Sequence, residues 1–475
     1  MDAIPQPSLP VARSPREHSA TVESGKAFSL RDVLAIRKIH PFYTSDVMYP
    51  PNADAILVAR ERAAKETGEV DLKYQPLLWK KDLYTIIERL ISDSSPQNTF
   101  RQSIYTSMTG GGSGSKPLFF ATDVHENRRH RALFGRFLRN IGLATETDWV
   151  VTVHPTGGFI AGYHMPPAVV VRLITEYSAN VLSGDSGQIV SMVHYISSLS
   201  QEKRAMFNIN KVIYTSESLT IAQRAHIRAV LGLNTQICSI LGSAEGGPYG
   251  ASCAHLSRDL GSEDDDSAIE EFQDFIIDAR ITKIEILPTS VPENDTSPVL
   301  TSVQDGQRGM IAQTSLTRLR NPLVRYITGD IGSLHKLPQK VEVMLPEQER
   351  QHMYMLRLYG RDRRFSFEWG GEYYEFRNLI ALMDDVWLGV LQWQVILEKS
   401  KGSEEALLEV RLLRSNGNMN GNLASKEELT KRIRIFFSLG AANEERFRLV
   451  FLDCYDEFEL SASGRKVIKF VDRYH

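Results

Sequence analysis

Apolar residues recur at helical spacing over positions 54–65 and 81–92, with the segment YQPLLWKKDL leading into the second run, and again over 127–140. Positions 100–105 and 118–121 read as strands on either side of the stretch YTSMTGGGSGSKP, and 149–153 reads as a buried strand. Beyond it the pattern alternates: helices over 167–179 and 188–199, a strand at 211–214, a helix over 221–231 and a strand at 236–241. Short connections between strands and helices predict an α/β domain that binds ligands at the carboxyl ends of its strands. Further strands are expected at 274–278, 282–287 and 310–314, and an apolar strand through NPLVRYITGD at 321–330. LRLYGRDRRFSFEWGGEYYEF then carries a strand, a Gly-Arg turn and a Gly-Gly turn. The end of the chain reads as a small α+β unit, with strands at 391–398, 407–413 and 448–452 and a helix over 426–437. Residues 1–28 have no periodic pattern and are expected to form a disordered or loosely draped arm.

Composition narrows the functional classes. The 475-residue chain is 42% hydrophobic and 24% charged, ordinary for a globular protein with several domains. A net charge of −3 offers no general attraction for nucleic acid or an anionic membrane, and neither is an expected partner. Cys238, Cys253 and Cys454 lack metal-ligand spacing and cannot pair evenly, which suits small core residues in a reducing compartment. There is no apolar run near 18 residues and no signal-like start, so the sequence reads as cytoplasmic. The acidic stretch SEDDDSAIEE lacks the glycine and spacing of a calcium loop and reads as a solvated surface segment.

Five segments invite chemistry. In YTSMTGGGSGSKP, Gly110, Gly111, Gly112 and Gly114 let successive N–H groups converge on an anion. Thr109, Ser113 and Lys116 add donors and positive charge. That is the makeup of a polyphosphate cradle, without the Walker spacing; the plainer reading is a Gly/Ser linker. HPTGGFIAGYHMP sets His154, Phe159 and Tyr163 among glycines, a mixture suited to a pocket wall or to plain packing. The strand ends TSESLT and GSAEGG carry Ser216, Glu217, Gly242, Ser243 and Glu245. Glu217 can serve simply as a helix N-terminal carboxylate, whereas Glu245, among small residues, suits magnesium beside a polyphosphate. Asp330 stands at the end of ITGD, either as a turn aspartate or as an acceptor for the two hydroxyls of a ribose.

The order of these motifs resembles the adenylate-forming superfamily, and within it the phenylacetate-CoA ligase-like branch. The glycine stretch is similar to that family's phosphate loop, YTSESLT to its adenine-lining segment and LGSAEGG to its Tyr-Gly-Ser/Thr-Glu motif. NPLVRYITGD, YGRDRRFSFEWGGEYY and SASGRKVIKF resemble its Tyr-x-Thr-Gly-Asp, hinge and catalytic-lysine segments. The resemblance covers about residue 30 to the end. It implies a large N-terminal adenylation domain over 29–361, with β-sheets flanked by helices, and a small mobile C-terminal domain over 362–475 that rotates between two half-reactions.

Carried over, the resemblance implies a catalytic Lys466 bridging phosphate and carboxylate. Glu245 would act at magnesium and the reacting carboxylate, Asp330 on the ribose and Arg361 on ribose or phosphate. Thr109, Gly110, Gly111, Gly112, Ser113, Gly114, Lys116, Ser216, Glu217 and Ser243 would line the ATP site, and His154, Phe159, Tyr163, Gly242 and Tyr249 the acid pocket. The expected cofactors are ATP and Mg2+, with CoA as acceptor of an aromatic or apolar acyl group. A carrier-protein thiol, an amine acceptor, or a degenerate binding protein are the alternatives, and a homodimer is compatible with all of them. The chain departs from the pattern in four places. Arg363 replaces the hinge aspartate, Gly112 a common threonine and Leu241 a common aromatic; GRK leaves Lys466 and Lys469 both open as the catalytic lysine.

Overall fold

A computed structural model describes residues 26–108, 119–153, 165–215, 218–219, 221–256, 272–291, 299–361, 366–399, 405–414, 423–441, 443–453, 457–459 and 467–474. They form two compact units. One comprises the described residues up to Ser107 and Phe119–Gly360; the other continues from Arg361.

The large unit opens with a two-stranded sheet, β1 (Ile104–Met108) and β2 (Phe119–Asp123). Its main sheet has ten strands. In chain order these are β3 (Val150–Thr152), β4 (Val181–Asp185), β5 (Lys211–Thr215), β6 (Gln236–Ser243), β7 (Gly247–Ala251), β8 (Gln273–Asp278), β9 (Thr282–Leu287), β10 (Gly309–Ser315), β11 (Tyr326–His335) and β12 (Met353–Arg361). Across the sheet they run β3-β4-β5-β6-β7-β8-β12-β11-β10-β9. β3 to β6 are parallel, whereas β6–β7, β7–β8, β8–β12, β11–β10 and β10–β9 are antiparallel. The β6–β7 hairpin is therefore the seam between a parallel and an antiparallel half.

Period-two alternation sorts the parallel strands onto two cores. Leu182, Val212, Tyr214 and Ile237 face the helices Pro167–Glu176, Ser186–Ser197 and Ile221–Leu231 through Ile174, Val193 and Ile227. Their neighbours Val181, Ile213 and Cys238 face Phe134 and Phe137 of the helix Val124–Asn140. Both faces are covered, which is why these strands read as nearly continuous apolar runs.

Several expectations shift. The strand over 149–153 is not buried: β3 is the sheet edge, with Trp149 61% and Val150 55% exposed. Residues 99–101 form a 3-10 turn capped by the Asn98 side chain, which delays the first strand to Ile104. The segment after GSAEGG is strand β7, concealed in sequence by its glycines and proline.

The expected strand over 321–330 begins only at Tyr326, because Arg325 takes φ +50°, outside the extended region. Arg325 is fully buried. Its guanidinium pairs with Glu285 (Nε to Oε2 3.1 Å, Nη2 to Oε1 3.0 Å) and donates to the carbonyls of Gln75 (2.8 Å) and Leu300 (2.9 Å). Its backbone N–H donates to Thr314 Oγ1 at 2.9 Å. One cation thus ties three separate stretches of chain to the edge of β10 and β11. Burial raises the pKa of the Glu285 carboxyl, and Arg325 opposes the rise.

The small unit pairs β13 (Ser366–Trp369) with β14 (Glu372–Glu375) through Gly370 and Gly371, both at positive φ as a tight hairpin of two residues requires. Its four-stranded sheet runs β17 (Phe447–Leu452), β16 (Ala406–Arg414), β15 (Val390–Lys399), β18 (Phe470–Arg473). Leu408, Val410 and Leu412 of β16 meet Leu429, Ile433 and Phe436 of the helix Lys426–Phe436 in one core. The chain is an α/β protein: a large mixed sheet with helices on its faces, followed by a smaller C-terminal α+β unit.

Removing the Arg325 cation strands the Glu285 carboxylate. Arg325→Met is expected to destabilise the large unit by about 3–5 kcal/mol, read as a lower urea midpoint of that unit's transition. Adding Glu285→Gln should restore part of the loss.

Candidate active site

The hairpin at the seam is built for close approach. Gly242 pairs with Pro248 and Ser243 with Gly247, leaving Ala244, Glu245 and Gly246 as the tip. A Cβ at Gly242 would lie 2.8 Å from Pro248 Cα, a backbone atom that cannot give way, whereas one at Gly246 would lie 2.6 Å from Gln313 Oε1 and would push that side chain aside. Gly247 has φ +70°. Ser243 Oγ accepts from the Gly246 N–H at 2.8 Å and pins the turn. As a result Glu245, although at a hairpin tip, is only 5% exposed. Tyr326 donates its hydroxyl to Glu245 Oε1 at 3.0 Å, and Lys80 Nζ stands 3.9 Å from the same oxygen.

Lys80 reaches this point through backbone pairing. Leu78 N–H donates to Arg325 O (3.1 Å) and Ile327 N–H to Leu78 O (2.9 Å), so the LLWKK segment runs beside the start of β11. Lys80 then opens the helix Lys80–Ser92, where Asp82 accepts from the Trp79 N–H at 3.3 Å. The bond Arg325 makes through its carbonyl positions Lys80, and the residue after Arg325 is Tyr326. Both neighbours of Glu245 depend on one stretch of backbone.

Behind the hairpin, the helix Val124–Asn140 clasps the turn between β10 and β11. Asp123 caps the helix and pairs with Arg320 at 2.8 Å. Glu126 Oε1 accepts from the N–H groups of Leu319 and Arg320, both at 3.1 Å. Burial and the nearby Asp123 push the Glu126 carboxyl up to about 7, against the pull of those N–H groups and Arg318. His130 lies 2.8 Å from Pro248 O and 2.7 Å from Thr317 Oγ1. A carbonyl can only accept, so Nε2 carries the proton and Nδ1 accepts from the threonine. Burial, reinforced by Arg318, lowers His130 to about 4. His40, fully buried against Asn321 Oδ1 at 3.2 Å, is lowered by burial to about 3.

Asp330 sits in a β-bulge. Ile327 pairs with Ala312 and Ile331 with Met310, so Thr328, Gly329 and Asp330 stand opposite Ile311 alone. Bulges re-aim side chains, and Gly329 at φ +81° supplies the bend. The Asp330 N–H donates to Thr328 Oγ1 at 3.1 Å and Asp330 is partly exposed. Tyr249, expected in a pocket wall, occupies the irregular position of the β6–β7 ladder and packs against Phe275 and Ile277 in the core, 2% exposed. Arg361 is the last residue of β12. Lys469 donates to Gln392 Oε1 and stands 4.4 Å from the centre of the Trp393 ring. Residues 109–116, His154, Phe159, Tyr163, Ser216, Glu217 and Lys466 lie outside the described residues, as does the acidic stretch at 262–271.

Sequence reasoning missed Lys80, Tyr326, Glu126, His130 and Arg318. Tyr326 belonged to a motif already singled out, and the spacing of Asp123, Glu126 and His130 on one helix was a signal. Lys80, in a Lys-Lys pair opening a helix, looked like any solvated cation. Among the described residues no three His, Cys, Asp or Glu side chains converge as a metal cage, and no helix is long and apolar enough to cross a membrane.

The titrations predict a pH profile. His40 and His130 stay neutral in the fold, so the stability they contribute is present above 6.5 and is lost on acidification towards about 3 for His40 and about 4 for His130. Glu126, raised to about 7, contributes stability that is full below 4.5 and lost as pH rises through 7. Between pH 5 and 6 unfolding therefore takes up one net proton from this trio, a slope of about 1.4 kcal/mol per pH unit. Glu126→Gln should roughly double that slope and His130→Gln should abolish it, as read by denaturant unfolding at each pH.

At the level of sequence, no protein-family model matches the chain and no curated protein does. Among solved structures, 2-hydroxyisobutyryl-CoA ligase in complex with 2-HIB-AMP and CoA, in the thioesterification state, aligns over 97% of this chain and 90% of its own, with TM-score 0.57 and 13% identity. The same ligase in the postadenylation state with 2-HIB-AMP aligns over 93% and 88%, with TM-score 0.48 and 14% identity. Its open conformation with 2-HIB-AMP and CoA aligns over 93% and 89%, with TM-score 0.47 and 14% identity. The likeness in the first of these is one of fold, over nearly the whole of this chain.

Proposed function

We propose that the chain is an ATP-dependent acid-thiol ligase of the phenylacetate-CoA ligase-like kind, acting on an aromatic or apolar carboxylic acid. The observation that carries this reading is the burial of Glu245 at the tip of the seam hairpin, facing Lys80 and Tyr326, with Asp330 on a nearby motif whose order matches the adenylate-forming pattern. In the first step a carboxylate oxygen of the acid attacks the α-phosphorus of ATP and diphosphate leaves. In the second a thiol sulfur attacks the acyl carbon, releasing AMP and forming the thioester. Both partners in the first step are anions, so the enzyme's task is orientation and charge neutralisation.

Magnesium fits the donors present. The Glu245 carboxylate and the Gln313 Oε1 beside Gly246, which has no hydrogen-bond partner, are oxygen ligands of the kind magnesium takes together with substrate phosphates. Bound there it would supply Lewis-acid neutralisation of phosphate charge. Glu245 would hold it, Lys80 would add a second positive centre, Asp330 would accept from the ribose hydroxyls and Arg361 would reach ribose or phosphate. Lys469 is engaged with Gln392 and Trp393, which favours Lys466 as the lysine of adenylation. The two compact units are read as the adenylation domain and the mobile C-terminal domain. CoA is the favoured acceptor because the pattern of motifs is that of CoA ligases.

The test is diphosphate release with ATP and magnesium against a panel of aryl, arylacetic and fatty acids, with and without CoA. Acid-dependent release with an acyl-CoA product is expected; silence across the panel together with no ATP binding would sink the reading. Glu245→Gln should slow adenylation by about 10²–10³-fold while leaving the fold intact. Lys466→Ala should abolish adenylation but spare thioester formation from a supplied acyl-adenylate, whereas Lys469→Ala should leave adenylation in place.

A further inference from the structure

Arg318 is the second buried guanidinium near the hairpin, and its surroundings differ from those of Arg325. It is 5% exposed, yet its Nε and Nη1 have no hydrogen-bond partner. The cost of leaving such donors unpaired in the interior is several kcal/mol for a charged group, so a native protein keeps them only for a reason. Burial lowers its pKa to about 10, against the opposing fields of Glu126 and Glu245. Those two carboxylates are already engaged: Glu126 by the backbone of Leu319 and Arg320, Glu245 by Tyr326.

The neighbours define where an anion would meet it. Nη2 lies 3.2 Å from where a Cβ at Gly247 would stand, so the guanidinium lies close against the hairpin backbone there. Its central carbon is 5.5 Å from the ring of Phe120, on β2, the strand on which the chain emerges from the glycine-rich stretch. His130, held neutral between Thr317 and Pro248, offers no competing charge. Flanked by the Glu245 hairpin and the start of β2, a planar fork with free donors suits phosphate oxygens.

We propose that Arg318 is a phosphate-binding residue, taking up the charge of the nucleotide's diphosphate end beneath the Glu245 hairpin. The proposal rests on the adenylating reading above and adds to it a cation that no motif marks. It further explains why the turn bearing Arg318 is clasped from both sides by Glu126 and His130, since a phosphate ligand must be held in register.

Calorimetry on the full chain with MgATP, inorganic diphosphate with magnesium, and adenosine tests it in the wild type, Arg318→Met and Arg318→Lys. Arg318→Met is expected to weaken ATP and diphosphate at least tenfold and to leave adenosine unchanged; Arg318→Lys, keeping the charge without the fork, should lose several-fold. Unchanged phosphate affinity in the variants, or an equal loss for adenosine and ATP, overturns the proposal and leaves Arg318 as a brace between Glu126 and Glu245. If Arg318→Met does not fold, as judged by circular dichroism, Arg318→Lys alone decides on the same criteria. A wild type that binds neither ATP nor diphosphate overturns the adenylating reading as well; a wild type that binds both, with unmoved variants, overturns this inference alone.

Discussion

The large unit depends on a cation that never meets solvent. Arg325 adopts a left-handed backbone conformation that a long side chain seldom takes, and the bonds it makes explain how the fold tolerates it. Its guanidinium satisfies one carboxylate and the carbonyls of Lys73, Gln75 and Leu300, while its own carbonyl receives the Leu78 N–H. Without this node the segment from Lys73 to Lys80 would keep only the Ile327 N–H bond to Leu78 O and the weaker contacts around it on the antiparallel half of the sheet. With it, the backbone turns sharply into β11, and Tyr326 faces Glu245. Stability and site geometry share one residue.

Around that node the charges are distributed by what each one can reach. Arg320 has Asp123 and the Thr99 carbonyl, and Arg325 has Glu285, so both are matched within the fold. Glu126 spends its oxygens on backbone donors, and burial beside Asp123 drives its titration towards neutral pH against their pull. Lys80 and Arg318 are the cations of this region that lean on Glu245, one at close range and one through its field. Ion pairs in such an interior contribute little net stability against the cost of their dehydration. Their value lies in fixing where opposite charges can later be accommodated.

Much of the fold could be read from periodicity. The helix Ile221–Leu231 and the strand Thr282–Leu287 have the bounds expected of them, because each has a strong apolar period and clear turn residues at both ends. Strand β7 could not be read, since Gly-Gly-Pro-Tyr-Gly is loop-like locally and becomes a strand only by pairing with β6 and β8. The exposure of β3 was equally hidden: Trp-Val-Val looks buried until the sheet order shows that, among the described residues, only β4 pairs with it. Of the candidate site, Glu245 stood out among small residues after a strand and Asp330 at the end of ITGD, read as a strand end; β11 instead runs on to His335, and the bulge at Asp330 arises only from its pairing with β10. Lys80 and His130 did not stand out, as their roles arise from contacts across 165 and 118 positions of sequence, which no local pattern encodes.

The bulged hairpin at the seam has an evolutionary consequence. Beyond the bulge, Ala251 pairs with Ile276 on the face shared with Phe134 and Phe137, while Tyr249 turns to the opposite core. An insertion or deletion of one residue between Ser243 and Gly247 would exchange those faces and drive Tyr249 into the wrong layer. The length of the loop that carries Glu245 is therefore dictated by packing on both sides of the sheet, whatever the ligand demands. Variation in this region has to proceed by changing side chains here and by remodelling length elsewhere, so the hairpin is a fixed ruler for the strands on either side of it.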